Sequence, residues 1–182
     1  MKKDLGSIGA LYPVPVVVVG AIVQGKPTWT LAAHTGIPSH DLVMVSLAKA
    51  HYINQGIREN RALSINVVDE GWLQKADYVG CVSGGKTDKS KVFSYTTGEA
   101  GTPMIDEAKI SMECTVEDVY ETAAFENFML KIVHTFAEES ILTRDGTKPD
   151  FGKFKPVLFE MPGYTYLKTG ETIAACMSLG KP

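Results

Sequence analysis

The strongest constraint on the fold is a run of four consecutive valines, Val16 to Val19, inside the apolar stretch 14–23. β-Branched side chains crowd the neighbouring turn of a helix, whereas they fit the pleated surface of a sheet. A stretch of ten residues is also too short to cross a bilayer as a helix. The run therefore predicts a buried strand.

The N-terminus raises one alternative, because Lys2 and Lys3 precede this apolar run, as in a secretory signal peptide. Asp4 dilutes that charge, Pro13 precedes the run and Pro15 interrupts it, and no small-residue cleavage site follows Val23. We therefore expect a cytoplasmic protein without a membrane segment.

Short apolar segments separated by turns recur along the chain. With 182 residues, one domain over 1–182 is expected. Gly25-Lys26-Pro27 predicts a hairpin turn, and Asp69 is a candidate N-cap for the second of two helices. Many short strands with frequent turns predict a mainly β chain with short helices, folded as a barrel or sandwich. The predicted strands after the valine run span 28–35, 41–47, 62–68, 109–119, 125–138, 157–161 and 164–167, the helices span 52–59 and 70–82, and the loops span 83–103 and 143–155.

Charge and ligand-type residues exclude several functions. The chain has 18 Lys and Arg against 21 Asp and Glu, which is not the basic excess of a duplex nucleic-acid binder. Its four histidines have no metal-ligand spacing, so no metal site is predicted. Three cysteines without a CxxC pair are expected to be reduced and packed in the core.

Three polar segments are candidates for chemistry. Thr28 and Thr30 lie on one face of a predicted strand, which Ala32 and His34 continue, and the threonine hydroxyls could bind a polar heterocycle or a phosphate. The alternative is a solvated sheet face with threonines chosen for strand propensity. Ser46, Lys49 and His51 lie where a strand leads into a helix, a place suited to anion binding, and the alternative is a capping turn with exposed charges.

The third segment is a glycine-rich turn with Ser83, Gly84, Lys86 and Lys89. Its residues 80–87 match the phosphate-loop string G-x-x-x-x-G-K-[ST]. A true phosphate loop leaves a strand and opens a helix, whereas this match falls late in a predicted helix. A nucleotide triphosphatase is therefore not predicted.

Together, these segments resemble the flavin reductase-like family of split-barrel proteins that bind FMN, within it the flavoredoxin type. The resemblance covers about residues 10 to 170, and Asp77-Tyr78-Val79-Gly80 with Ser83-Gly84 and Asp88-Lys89 is its most specific part. The other matching pieces are Tyr12-Pro13-Val14-Pro15-Val16, Gly25-Lys26-Pro27, the segment from Ser46 to Ile53, Pro103-Met104-Ile105 and Met112-Glu113-Cys114.

The resemblance implies a six-stranded antiparallel Greek-key split barrel and a homodimer with FMN near the subunit interface. Its cofactor-binding residues would follow the flavin from the ring to the phosphate. Beside the ring it implies Thr28, Trp29, Thr30, Ala32 and Ala33; near the ribityl chain and phosphate Ser46, Leu47, Lys49, His51, Tyr52 and Ile53; and at the phosphate end Ser83, Gly84, Lys86 and Lys89.

Some positions depart from the family pattern, which usually has Asn at Thr28, Trp at His34, Arg at Lys49 and Thr at Tyr52. Three functions therefore stay open. The first is an oxidoreductase that passes electrons between NAD(P)H or a redox partner and flavin. The others are an FMN-bound electron carrier without NAD(P)H turnover, and a split-barrel domain that has lost flavin and binds another ligand.

Overall fold

The computed structural model describes residues 1–180. Within them, antiparallel strands dominate and two short helices pack on the outside, so the predicted mainly β class is confirmed. The elements are β1 (Val14–Pro15), β2 (Val17–Val23), β3 (Lys26–Ala32), β4 (Thr35–Ser39), β5 (Leu42–Ala48), α1 (Ile53–Asn60), β6 (Ala62–Val67), α2 (Leu73–Cys81), β7 (Tyr95–Thr97), β8 (Pro103–Ile105), β9 (Ile110–Glu121), β10 (Phe125–Ala137), a 3-10 turn (Glu139–Ile141), β11 (Leu158–Glu160) and β12 (Thr165–Leu167).

Seven of these strands form the main sheet, in the order β3-β2-β6-β9-β10-β5-β4. Its two edge strands are consecutive in the chain and are linked only by Ala33 and His34, so the sheet curls until its edges approach each other. The Thr35 amide donates to the Ala33 carbonyl at 3.0 Å, and this turn ends the predicted strand 28–35 at Ala32. The chain beyond it forms β4, a seventh strand where six were expected. The split-barrel architecture itself is confirmed.

Strand β2 explains the valine run, because both of its faces are buried. Val17 and Val19 point into the barrel core, whereas Val18, with Val16 just before the strand, packs into a second core under α2. All four side chains are at most 3% exposed. Neither face meets water, so the sequence shows no polar alternation.

The hairpin between β2 and β3 turns one residue earlier than predicted. Gln24 and Gly25 both have positive φ, 51° and 75°, as a two-residue hairpin loop requires. Lys26 and Pro27 therefore belong to β3 rather than to the turn.

The start of α2 also differs from the prediction. The helix begins at Leu73, and Trp72, not Asp69, holds the N-cap position. The Asp69 carboxylate instead accepts a hydrogen bond from the Gly71 amide at 2.8 Å. This local turn before the helix occupies the side chain that was expected to cap it.

All three cysteines are free, as predicted, but only one of them is packed in the core. Cys114 lies in the barrel core, where burial raises its pKa to about 12. Cys81, at the end of α2, and Cys176, beyond the last strand, are exposed. No helix in the described part of the chain is long and apolar enough to span a membrane.

Candidate functional site

Three adjoining cavities form a groove along β3, and they collect every predicted site residue except Lys49. The inner cavity, of about 320 Å³, is lined by Thr28, Trp29, Thr30, His51, Tyr52, Ile53, Ser83, Gly84 and Lys89, among others. The lysine cavity, of about 300 Å³, shares Thr28, Tyr52, Gly84 and Lys89 with it and adds Lys26, Lys86, Thr87 and Asp88. The aromatic cavity, of about 320 Å³, meets the inner one at His51 and is lined by Ala32, Ala33, His34, Ser46, Leu47, Phe125, Phe159, Met161, Tyr164 and Tyr166.

Lys89 is a buried cation in the wall between the inner and lysine cavities, and its side chain is only 4% exposed. Its ammonium donates to the carbonyl oxygens of Trp29, at 2.9 Å, and Val79, at 2.7 Å. No carboxylate pairs with it within residues 1–180. Burial lowers the pKa of Lys89 to about 8, so it is still protonated at neutral pH and has a third hydrogen to donate.

His51 occupies the junction of the inner and aromatic cavities. Its Nδ1 atom is buried, with no hydrogen-bond partner in the described chain. Burial lowers the pKa of His51, and the nearby Lys89 charge lowers it further, so the ring is neutral at pH 7. A neutral imidazole with an orphaned nitrogen can donate to or accept from a ligand that passes between the two cavities.

The threonines of β3 form one wall of the inner cavity. Thr28 and Thr30 are 6% and 7% exposed, so the alternative of a solvated sheet face is wrong. The indole of Trp29 points to the opposite side, where it packs edge-on against Phe93 at a centroid distance of 5.4 Å. Trp29 therefore takes part in the site mainly through its carbonyl oxygen, which accepts a hydrogen bond from Lys89, and less through its ring.

Gly84 keeps this wall open. A Cβ atom at that position would lie 2.9 Å from Cδ1 of Tyr52 and 3.0 Å from Oγ1 of Thr28, closer than real contacts allow. The glycine therefore brings the loop after α2 against β3 and leaves room for a ligand at the join.

Lys49 is the predicted site residue that lines none of the three cavities. Its ammonium lies 2.8 Å from the Glu121 carboxylate on the β9–β10 hairpin, and Arg58 approaches the same carboxylate at 2.7 Å. The hydrogen bond from Lys49, followed by that from Arg58, lowers the pKa of Glu121. The side chain thus ties the β5–α1 connection to the hairpin.

Besides predicted residues and His34, the aromatic cavity contains rings that the sequence did not single out. His34 packs edge-on against Phe125 at a centroid distance of 5.4 Å, and Phe159 lies 6.1 Å from Tyr166. The rings of Phe125, Phe159 and Tyr166 come from β10, β11 and β12, far from any polar motif, so no local pattern could have found them, whereas His34 lies in the link between β3 and β4. Lys26, in the lysine cavity, was not predicted as a site residue either, but it belongs to the Gly25-Lys26-Pro27 segment that is part of the family resemblance.

The outer wall of the aromatic cavity is fixed by one hydrogen bond between α2 and β12. The Tyr166 hydroxyl donates to the Asp77 carboxylate at 2.5 Å. Burial, and then this bond, raise the pKa of Tyr166 above its usual range. The β11–β12 hairpin is thereby held over the groove.

The groove accepts a particular kind of ligand. Its polar part offers a buried cation, hydroxyls and an orphaned imidazole nitrogen, and its other part offers aromatic and small apolar side chains. A ligand with an anionic end, a polar chain and a planar apolar end matches both parts. No cluster of three or more potential metal ligands occurs among residues 1–180.

Known proteins are similar to this chain in sequence and in fold. Residues 9–164 match the family model described as the flavin reductase like domain. An uncharacterized protein of Aeropyrum pernix is 32% identical over 133 residues, which are 69% of this chain and 51% of that protein, so the chain spans about half the length of this curated relative.

Two solved structures align with the full length of the chain. The flavoredoxin of Methanosarcina acetivorans is 34% identical, with a TM-score of 0.94 over 100% of this chain and 98% of its own. The flavoredoxin of Desulfovibrio vulgaris (Miyazaki F) is 32% identical, with a TM-score of 0.91 over 100% of both chains. The family match, the split barrel and these two alignments agree, and the chain belongs to the flavin reductase-like family, in its flavoredoxin type.

Proposed function

We propose that this chain is an FMN-binding oxidoreductase with the phosphate of FMN beside Lys89 and the flavin ring in the aromatic cavity. The observation that carries the proposal is the Lys89 ammonium, which is buried at the border of two polar cavities and pairs with no carboxylate of residues 1–180. A buried charge is costly unless an opposite charge or strong hydrogen bonds compensate it. A phosphate bound beside it would supply that compensation.

The order of the cavities supports this orientation. From Lys89 the inner cavity runs past the hydroxyls of Thr28 and Thr30 to His51, where the aromatic cavity begins. The hydroxyls and the imidazole can hydrogen-bond the ribityl chain. Ala32 and Ala33 have no bulk to block a planar ring, and the rings of Phe125 and Phe159 exclude water around it. When bound, FMN supplies the hydride and electron chemistry, and these residues bind and orient it.

The source of the electrons separates the two redox hypotheses. As an oxidoreductase the protein would take hydride from NAD(P)H, and as an electron carrier it would exchange electrons only with a redox partner. The similarity to two flavoredoxins supports a redox function. Stopped-flow mixing of the FMN-loaded protein with NADH or NADPH distinguishes the two: bleaching of the flavin band supports the oxidoreductase, and an unchanged band supports the carrier.

We also propose that the protein forms a homodimer through the open side of the barrel. A further cavity, of about 570 Å³, lies there among apolar residues of β2, β4, β5 and β6. Ile37, on the edge strand β4, is 84% exposed beside it. A second copy would cover this apolar surface and the unpaired strand edge. Analytical ultracentrifugation tests the proposal, and a monomer at all concentrations would refute it.

The absorbance spectrum of the purified protein is the first test of flavin binding. We expect a yellow protein, or a colourless one whose flavin-free form quenches the fluorescence of added FMN. Lys89→Met should weaken FMN binding by at least tenfold, because a charge-assisted hydrogen bond is lost. Ser83→Ala, at an exposed position of the same cavity, tests the site without touching the core. Lys91→Met is the matched control, since Lys91 is exposed and lines none of the three cavities. A folded protein that binds no flavin would refute FMN binding and favour a domain with another ligand.

A further inference from the structure

Tyr166 and Asp77 form a polar pair in the wall of the aromatic cavity, and the proposed function uses neither group. Tyr166 lines that cavity, and its hydroxyl donates to Oδ1 of Asp77 at 2.5 Å. Both side chains are half-buried. Of the tyrosines within residues 1–180, only Tyr166 donates its hydroxyl to a carboxylate. A phenol in contact with a base is suited to electron transfer, because it can release its proton as it loses an electron.

The Asp77 carboxylate is placed to take up that proton. Among the described residues it forms no ion pair, so no cation competes for its oxygens. Its second oxygen, Oδ2, lies 3.8 Å from the Cys81 thiol, which is a weak donor. Burial, and then the bond to Asp77, raise the pKa of Tyr166. The phenol therefore keeps its proton at neutral pH until an electron is removed from the ring.

Other aromatic side chains near the proposed flavin ring lack this arrangement. Tyr164 also lines the aromatic cavity, but it is 75% exposed. Phe159, whose ring centroid lies 6.1 Å from that of Tyr166, has no hydroxyl. Trp29 lines the inner cavity and not the aromatic one. Tyr166 is therefore the oxidisable side chain that meets the ring cavity with a proton acceptor already in place.

We propose that Tyr166 is a redox-active tyrosine that gives one electron to the bound flavin ring when light excites the ring, with Asp77 as its proton acceptor. The electron leaves the Tyr166 phenol for the excited ring, which is the oxidant, and the phenolic O–H bond breaks as its proton moves to Asp77. The electron and the proton then return to Tyr166, so no net oxidation remains and the light energy is released as heat. This inference rests on the proposed function, since it takes the flavin ring to lie in the aromatic cavity.

The fluorescence lifetime of protein-bound FMN, measured after free FMN is removed, tests the electron donor. Tyr166→Phe keeps the aromatic ring but removes the oxidisable phenol, so the lifetime should lengthen several-fold. Tyr164→Phe is the matched control, because it removes a hydroxyl from the same cavity, and it should change the lifetime only slightly. An unchanged lifetime in Tyr166→Phe, or a larger change in Tyr164→Phe, would overturn the proposal.

Asp77→Asn tests the proton acceptor with the fold preserved. Its amide oxygen can still accept the hydrogen bond from Tyr166, so the β11–β12 hairpin stays in place, but an amide does not take up a proton at neutral pH. The lifetime should again lengthen several-fold, and an unchanged lifetime would refute the role of Asp77. In deuterated water the wild-type lifetime should lengthen more than that of either variant, because a proton moves with the electron. Equal effects in all three proteins would contradict a coupled transfer.

Illumination in air tests what the pair does for the protein. Under blue light, Tyr166→Phe should lose its flavin absorbance several-fold faster than the wild type, because the excited ring then persists long enough to react with oxygen. Equal rates of bleaching would refute a protective role. A chain that binds no FMN refutes the proposed function instead, whereas FMN that binds with the same lifetime in every variant refutes this inference alone.

Discussion

The buried ammonium of Lys89 should make the stability of the flavin-free protein rise between pH 7 and pH 9. The pKa of Lys89 is about 8 in the folded protein, against an ordinary value of 10.5 in the unfolded chain. Below pH 8 both states hold the proton, and the folded state bears the full cost of the buried charge. Between pH 8 and 10.5 the folded protein releases the proton first, so the unfolded chain binds more protons and the free energy of unfolding increases with pH.

The linkage relation gives the size of this effect. With these two pKa values, the Lys89 contribution to the free energy of unfolding rises by about 1.3 kcal/mol from pH 7 to pH 9. Water in the adjoining cavities screens part of the charge, which leaves about 1 kcal/mol. For a chain of 182 residues this corresponds to a Tm increase of about 2–4 °C.

The assay compares thermal unfolding of three proteins at pH 7, 8 and 9. Cys114 also titrates near the top of this range. Its pKa is raised to about 12 in the folded protein, so its contribution to the free energy of unfolding falls as the pH passes the ordinary value of 9. The Lys89→Met curve is therefore subtracted from the wild-type curve. Lys89→Arg keeps the charge but does not titrate in this range, so it too should lack the rise.

Bound FMN should abolish the difference in pH dependence between the wild type and the two Lys89 variants. A bound phosphate beside Lys89 returns its pKa toward the ordinary value, so the FMN-loaded wild type should gain no stability from this residue between pH 7 and 9. Parallel curves for the flavin-free wild type and both variants would refute the reasoning.

Three further predictions concern single side chains around the groove. Lys49→Ala should leave FMN affinity within twofold of the wild type and lower stability by less than about 1 kcal/mol, because its exposed ion pair lies outside the cavities; a tenfold loss of affinity in a fluorescence titration would contradict this placement. Gly84→Ala should weaken FMN binding by about tenfold or more, because the new Cβ presses on Tyr52, 2.9 Å away; equal affinities would show that the loop moves freely. Tyr166→Phe should lower the free energy of unfolding by about 1–2 kcal/mol in denaturant titrations, because Asp77 loses its partner; an unchanged midpoint would show that the β11–β12 hairpin is held by other contacts.

Much of the fold could be predicted from local patterns. The valine strand follows from its β-branched side chains, and the strands around Val45 and Leu63 and both helices follow from the hydrophobic pattern, which the sequence shows directly. The errors lie at the ends of elements and in three short strands that were not predicted, β4, β7 and β8, of which β7 lies inside the predicted loop 83–103. The break after Ala32 depends on a turn at Ala33 that contains neither glycine nor proline, so nothing in its sequence announces it.

The candidate site was predictable where polar residues cluster in sequence and not where distant strands meet. The segment from Ser83 to Lys89 pointed to a phosphate, and in the structure it lines two polar cavities. The burial of Lys89 depends on the carbonyls of Trp29 and Val79, which come from β3 and α2, so no spacing along the chain reveals it. Lys49 shows the opposite error. It was predicted as a site residue, but its carboxylate partner Glu121 lies 72 positions away, so the sequence does not reveal the ion pair that holds Lys49 outside the cavities.

Strand β2 has a consequence for how the protein opens. Since its alternate side chains belong to the barrel core and to the core beneath α2, neither core can come apart without exposing part of the other. The two halves should therefore lose structure together, as one cooperative unit. Native-state hydrogen exchange should find the slowest amides along β2 and β6, with the same opening free energy on both sides, while the loop after α2 exchanges through smaller and independent fluctuations.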